Sequence, residues 1–195
     1  VLDLCAGAGG KTLALAAAMD NRGQIFAFDQ DRNRLAPIFD RLKRNGVRNA
    51  QVRSPEPGAL DDLAGKMDRV IIDAPCTGTG TWRRRPDTKW KLTPELLAQR
   101  VLEQAEVLGQ GQAYVKTGGT LVYITCSVLP EENDDQIAAF KKAHPEFTSV
   151  DAPTLWGDAF PHEPPAGIFT AGGGIHLTPR LTGTDGFYIH ALKRN

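Results

Sequence analysis

Cysteine is scarce in this chain, with three in 195 residues and no C-x-x-C pair. An odd number of cysteines, no metal-ligand spacing and only four scattered histidines argue against a disulfide framework and against a zinc or other metal site. Free thiols beside Pro, Thr and Gly fit a reducing compartment, so a cytoplasmic location is expected. Long hydrophobic runs are also missing. The longest near the start, Leu13 to Met19, is too short to cross a bilayer and follows a lysine in a helical pattern, so no membrane segment is expected. Net charge is absent too, since 23 basic side chains cancel 23 acidic ones. Any polyanionic partner must therefore be held by a local patch and not by the overall field.

What remains is the composition of one globular domain, 41% apolar and 24% charged, read as a single unit over residues 1–195. The first residues, Val1-Leu2-Asp3-Leu4, already read as a core strand with no initiator Met, which suggests the interior of something longer. Strand and helix patterns then alternate, the signature of a mostly parallel sheet with helices on both faces. Strands are expected at Val1 to Cys5, Gln24 to Phe28, Ala50 to Arg53, Val70 to Asp73, Thr120 to Ile124 and Gly186 to Leu192. Helices are expected at Lys11 to Met19, Arg32 to Asn45, Pro94 to about Ala113 and Glu131 to Ala143. Residues 151 to 184, rich in Pro and Gly, read as a long surface segment.

The glycine-rich loop Asp3-Leu4-Cys5-Ala6-Gly7-Ala8-Gly9-Gly10-Lys11-Thr12 has two look-alikes that fail. A phosphate-binding P-loop needs glycine where Cys5 stands, and G-x-G-x-x-G is ruled out by the third spacing. A tight turn is left, in which the backbone of Cys5, Ala6, Gly7, Ala8, Gly9 and Gly10 approaches a ligand at a helix N-terminus. Asp29, ending the second strand, stands where a carboxylate holds ribose hydroxyls. An adenosyl ligand without a phosphate chain fits best, and S-adenosyl-L-methionine is the obvious one. Lys11 is unfavourable at the positive end of a helix dipole, which favours a contact with a ligand carboxylate. The Cys5 side chain reads as core packing.

The other two cysteines stand at strand ends. Val70-Ile71-Ile72 feeds Asp73-Ala74-Pro75-Cys76-Thr77-Gly78-Thr79-Gly80, and Leu121-Val122-Tyr123-Ile124 feeds Thr125-Cys126-Ser127. Both thiols should emerge on the ligand-binding edge of one sheet. Directly after the first lies Trp82-Arg83-Arg84-Arg85-Pro86-Asp87-Thr88-Lys89-Trp90-Lys91, five bases against one acid with two tryptophans interleaved. It reads as a nucleic-acid strip in which Arg83, Arg84, Arg85 and Lys89 neutralise phosphates and Trp82 or Trp90 stacks on a splayed base.

Taken together, the glycine loop, Asp73-Ala74-Pro75-Cys76, the run Thr125-Cys126-Ser127-Val128-Leu129-Pro130-Glu131-Glu132-Asn133 and Asp185-Gly186-Phe187 resemble the Sun/Fmu family of RNA cytosine-5 methyltransferases. The resemblance runs nearly end to end. It implies a Rossmann-like α/β catalytic domain, S-adenosyl-L-methionine as cofactor and cytosine in RNA, ribosomal RNA first, as substrate. It implies Cys126 as nucleophile, Cys76 as helper in release, and a cofactor contact for Asp73, which can also bond the base. The reverse division, with Cys76 attacking, is chemically reasonable and ranks second. Two departures stand out. The loop lacks the family's rigid proline, and Arg53-Ser54-Pro55-Glu56-Pro57 replaces the Gly-Asp that contacts adenine, leaving Ser54 as candidate for a weaker contact. The rival readings are a methyltransferase for another substrate and a non-catalytic RNA-binding or assembly factor; the oligomeric state is open.

Overall fold

The apolar runs Val70-Ile71-Ile72 and Leu121 to Ile124 lie in the middle of a sheet covered on both faces, which is why they are hydrophobic without alternation. The computed structural model describes all residues, Val1–Asn195. In chain order the strands are β1 Leu2–Asp3, β2 Ile25–Phe28, β3 Ala50–Arg53, β4 Met67–Asp73, β5 Val115–Thr125, β6 Phe147–Ser149, β7 Ile175–Leu177 and β8 Phe187–Arg194. The helices are α1 Gly10–Ala18, α2 Arg32–Leu35, α3 Ile38–Arg44, α4 Asp87–Lys91, α5 Pro94–Gly111, α6 Asp134–Ala143, α7 Ala152–Ala159 and α8 Pro179–Thr182.

The sheet order is β3-β2-β1-β4-β5-β8-β6, with β7 also on β8. Strands β1 to β5 run parallel, and β8 enters antiparallel between β5 and the short strands β6 and β7. Chain order reverses direction on either side of β1, so a cleft opens at the carboxyl ends of β1 and β4, the usual ligand position in open α/β sheets. The main core joins Leu2, Val70, Ile72, Leu121 and Tyr123 to Leu108 of α5 and to Ile137 and Phe140 of α6. A smaller one joins Ala27 to Leu35, Ile38 and Leu42. Within β2 the alternation is visible, Ala27 facing the small core and Phe26 and Phe28 packing on the large one.

The expected parallel α/β architecture is present, with local differences. The helix expected over Arg32 to Asn45 is two helices, because Pro37 has no N–H to continue the ladder and its ring crowds the preceding turn. Strand β5 begins five residues earlier than expected, at Val115. The helix expected from Glu131 begins at Asp134, after a tight turn at Pro130–Glu132 that sends Glu132 and Asn133 inward. The segment 151–184 is more than surface loop. It holds α7, β7 and α8, and its Ile168 and Ile175 pack with Ala152 in a third small core.

Candidate active site

Each functional side chain sits at the carboxyl end of a parallel strand or in the loop that follows it. After β1, Gly7 and Gly9 take left-handed backbone with φ of 49° and 81°, which L side chains rarely adopt. Gly9 has a second reason, since a Cβ there would come within 2.5 Å of Ile38 on α3. Gly10 faces open space, the side from which a ligand can approach the first turn of α1. Asp29 holds this loop from the next strand. One carboxylate oxygen accepts from Gly7 N at 2.8 Å and the other from Asp31 N at 2.9 Å. The Ala8 carbonyl is taken by Arg41, so that residue shapes the turn from outside.

Beside the loop is a cavity of about 300 Å³ whose walls include Leu4, Cys5, Phe28, Asp29, Arg34 and Pro75, closed by one face of α5. Cys5 packs on the main core, and burial pushes its thiol up to about 12, which disfavours its thiolate. Ser54 is the candidate for a weaker adenine contact. It is exposed and outside this wall, while Arg53 turns away to Asp62 at 2.8 Å and lies over the Phe26 ring.

Asp3, which opens the glycine motif, ends β1. It is fully buried, one oxygen accepts from Thr12 Oγ1 at 2.6 Å, and the other has no partner. Burial raises its pKa to about 6 against the Thr12 bond and the Lys11 charge, and the carboxylates of Asp73 and Asp29 add to the rise. Three carboxylates within mutual electrostatic reach, one with an unmatched oxygen, suit a cationic ligand.

On the other side of Pro75 a second cavity, about 320 Å³, is lined by Lys11, Asp73, Cys76, Cys126, Arg84 and Arg85, with Phe187 at its edge. The parallel register of β4 on β5 sets Asp73 beside Ile124, so the chain three residues on from one and two from the other brings the thiols together. Cys76 Sγ and Cys126 Sγ are 3.3 Å apart. The hydrogen bond from Cys76 holds the Cys126 thiol below its ordinary value, against burial and the Asp73 charge, whereas Cys76 is pushed well above by the same bond and by its burial. Lys11 reaches Asp73 at 2.6 Å, so both side chains expected at a ligand are paired with each other.

Backbone contact fixes the thiol loop to the start of β8. Gly80 N donates to Cys126 O at 2.9 Å and Gly186 N to Gly80 O at 2.8 Å. A Cβ on Gly80 would lie 2.5 Å from the Gly186 carbonyl oxygen, so the close approach of Asp185-Gly186-Phe187 to the thiol loop requires glycine there. Asp185 also pairs with Arg84. The basic strip continues outward from here. Arg83, Arg84, Arg85 and Lys89 are exposed, Trp90 is 82% exposed, and Lys89 Nζ lies 5.6 Å from the ring centres of both Trp82 and Trp90. Trp82 is half-buried, leaving Trp90 as the available platform.

The buried groups behind the thiols are the ones sequence reasoning left without roles. Glu132, Asn133, Thr77, Thr79 and Ser127 form a hydrogen-bonded layer under both cysteine loops. Their only signal was membership of the two cysteine motifs. In the run Glu131-Glu132-Asn133, nothing in residue type says which acid turns inward.

The sheet order and the ligand edge define a class I, Rossmann-like methyltransferase fold. It is shared with a methyltransferase homologue from Pyrococcus horikoshii at 30% identity and a TM-score of 0.77, covering 100% of this chain and 61% of that one. The crystal structure of NSun6 from Pyrococcus horikoshii with SFG matches at 27% identity and a TM-score of 0.81, over 99% of this chain and 47% of that one. The chain belongs to the RsmB/F family of 16S rRNA methyltransferases, whose model matches residues 1–193. The ribosomal RNA small subunit methyltransferase B of Citrobacter koseri is 39% identical over 98% of this chain. The chain spans about two fifths of the length of that relative, 41%. The resemblance read from the motifs is thus a family relationship. No helix is long and apolar enough to cross a membrane.

Proposed function

We propose that this chain methylates carbon 5 of a cytosine in small-subunit ribosomal RNA, in the cytoplasm, with S-adenosyl-L-methionine as methyl donor and Cys126 as covalent nucleophile. The single observation that carries the reading is the thiol pair, 3.3 Å apart in a cavity whose other charged walls are Lys11, Arg84, Arg85 and Asp73. Family membership supports the RNA and the reaction class.

S-adenosyl-L-methionine, when bound, supplies an electrophilic methyl group on a sulfonium. Asp29 would hold its ribose, since each carboxylate oxygen has one backbone donor and keeps a second lone pair. The carboxylates of Asp3 and Asp73 would face the cationic portion. Lys11, released from Asp73, would pair with the amino-acid carboxylate.

Carbon 5 of cytosine is too weak a nucleophile to take a methyl group unaided. The Cys126 thiolate adds to carbon 6, forming a sulfur–carbon bond and moving the ring double-bond electrons to carbon 5, which becomes able to attack the methyl. Asp73 would accept from the amino group and, once N3 has taken a proton from water to neutralise the charge that the ring acquires, from N3–H as well. Once Cys126 is committed to the adduct, the Cys76 thiol gives its proton to water and the resulting thiolate takes the proton of carbon 5; N3 returns its proton, the ring electrons come back, and the bond to Cys126 breaks, restoring its thiolate. Cys76 suits the second step because its own thiolate is disfavoured, so a proton placed on it stays. Arg83, Arg84, Arg85 and Lys89 hold phosphates while Trp90 stacks on a neighbouring base, with the target base extruded to reach the thiols.

The test is an unmodified 16S rRNA transcript incubated with the cofactor and either Cys76→Ala or Cys126→Ala in the full protein, followed by denaturing electrophoresis and mass analysis. The expected result is a denaturant-resistant RNA adduct with Cys76→Ala and none with Cys126→Ala. The opposite pattern would exchange the two roles. No adduct with either, together with an unmethylated transcript in the wild type, would remove the covalent reading.

A further inference from the structure

The two thiols are positioned by two neighbouring residues that touch neither sulfur. Glu132 and Asn133, both buried, follow one another in the turn between β5 and α6. Glu132 Oε1 accepts from Thr77 N at 2.8 Å and from Gln104 Nε2 at 2.9 Å, and its Oε2 accepts from Thr77 Oγ1 at 2.5 Å. Gln104 Nε2 also donates to Pro75 O at 2.9 Å. The residues on either side of Cys76 are therefore tied to one carboxylate. Asn133 does the same for the other thiol. Its Oδ1 accepts from Thr125 Oγ1 at 2.6 Å and its Nδ2 donates to Ser127 O at 3.0 Å, on either side of Cys126.

Burying a carboxylate is costly unless its lone pairs are used. Its charge also opposes thiolate formation, raising the pKa of both cysteines. What it provides is three acceptor contacts converging on the chain around Cys76. The turn itself is pinned, because Tyr123 OH donates to Glu132 O at 2.8 Å, so both clamps move as one body.

We infer that Glu132 and Asn133 are positioning residues that divide the reaction between them: Glu132 sets Cys76 for release of the adduct, and Asn133 sets Cys126 for attack. The inference rests on the covalent reading proposed above. It makes the adjacency of the two residues the device that fixes the distance between the thiols.

The kinetic consequences of the two clamps differ. Loss of about 1 Å of placement at a reacting group costs up to roughly 100-fold in rate. Glu132→Ala should therefore accumulate the RNA adduct in the otherwise wild-type protein, with turnover lowered roughly 10- to 100-fold and adduct formation within about threefold of normal. Asn133→Ala, placed in the Cys76→Ala background where the adduct is trapped, should slow its formation by a similar roughly 10- to 100-fold. Glu132→Gln keeps an acceptor for Thr77 N and Gln104 and can donate to Thr77 Oγ1, so it should recover most of the turnover. Thr77→Val removes only the hydroxyl tie and should show the same adduct accumulation on a smaller scale, which keeps the test alive should Glu132→Ala not fold.

The probe is the unmodified 16S rRNA transcript, followed by single-turnover adduct formation and decay. If Cys76→Ala traps an adduct but Glu132→Ala and Thr77→Val lower turnover without one, the division of roles is overturned and the covalent reading survives. If Cys76→Ala traps none, the covalent reading fails and carries this inference with it.

Discussion

Two cavities of nearly equal size lie side by side at one sheet edge, and their charges are opposite. The one beside the glycine loop is lined by Asp29, Asp31, Glu103 and Glu106 against Arg34 and Arg100. The one around the thiols carries Lys11, Arg84 and Arg85 against Asp73. A chain whose net charge is zero thus carries mostly acids around one cavity and mostly bases around the other, which fits the division proposed between an adenosyl ligand and RNA. The boundary is the strand end Asp73 to Cys76. Pro75 lines the first cavity, and Asp73 and Cys76 line the second. The partition is physical, because short-range fields act on bound groups while the overall field, at zero net charge, steers nothing.

The largest break in this comparison should come from Asp29→Asn. Both oxygens keep their backbone donors in the native loop and offer one remaining lone pair each to a ribose diol. The amide loses one of those acceptors and the charge. Hydrogen bonds to charged groups contribute about 1.5–3 kcal/mol, so cofactor affinity by calorimetry should fall roughly 10- to 100-fold. RNA affinity measured without cofactor should not change. An equal loss in both would mean that the two cavities are not separate sites.

Next in size is Asp3→Asn. Asp3 has a folded-state pKa of about 6, raised from the ordinary 3.8 by burial. The folded protein therefore holds this proton more tightly than the unfolded chain. Its contribution to stability is fully present below about pH 4 and is lost as pH rises through about 6. Asn cannot ionise and can still accept from Thr12 Oγ1. Without bound cofactor it should gain about 3 kcal/mol over the wild type at pH 7, with a correspondingly flatter stability curve between pH 4 and 7, read by denaturant unfolding. The same variant should bind cofactor more weakly, since the carboxylate facing the cationic portion is gone. Tighter binding would remove Asp3 from the acidic side.

Much of this arrangement was legible in the sequence, and the exceptions share a cause. The parallel strands were visible because buried strands are uninterrupted apolar runs, and both cysteine loops were visible because they follow those runs directly. What escaped was set by long-range contact. Strand β6 is three residues, Phe147–Ser149, too short for a pattern, and exists because β8 offers it an edge. Strand β7 was hidden inside a Pro- and Gly-rich segment for the same reason. Gly9 reads as a ligand-approach glycine, yet its spatial demand comes from Ile38, 29 positions along the chain. Lys11 reads as a ligand contact, and here it is joined to Asp73 across two strand ends. Ser54 reads as a candidate for a missing acid's contact, and it is exposed beside Arg53, whose side chain pairs with Asp62.

On the basic side the expected losses are smaller. Arg85 is exposed, and Arg84 is held toward the thiol cavity by Asp185, so replacing both with Ala removes two cations without disturbing a core. For a single-stranded RNA each phosphate contact contributes about 0.7 to the slope of log affinity on log salt. The double variant should reduce that slope by about 1.4 and weaken binding roughly tenfold near physiological salt. Cofactor affinity should be untouched, the mirror image of Asp29→Asn. A slope that does not move would place the phosphates elsewhere on the chain.

The smallest effect probes the boundary itself, through the thiol pair. Cys126 is lowered chiefly by the hydrogen bond from Cys76, while burial and Asp73 push the other way. Removing the donor in Cys76→Ala leaves burial and the Asp73 charge opposed only by a backbone contact, so the Cys126 pKa should rise. Below the pKa, each unit of rise lowers the thiolate fraction about tenfold, and iodoacetamide labelling of Cys126 at pH 7 should slow by up to roughly that factor. Adding Asp73→Asn should restore part of the rate, because it removes a charge that disfavours the thiolate. Cys5, pushed up to about 12 by burial, stays unlabelled throughout, so the label reports on one sulfur. Faster labelling in Cys76→Ala would mean that Cys76 shields Cys126 more than it activates it, and the activating role would pass to the charges that surround the pair.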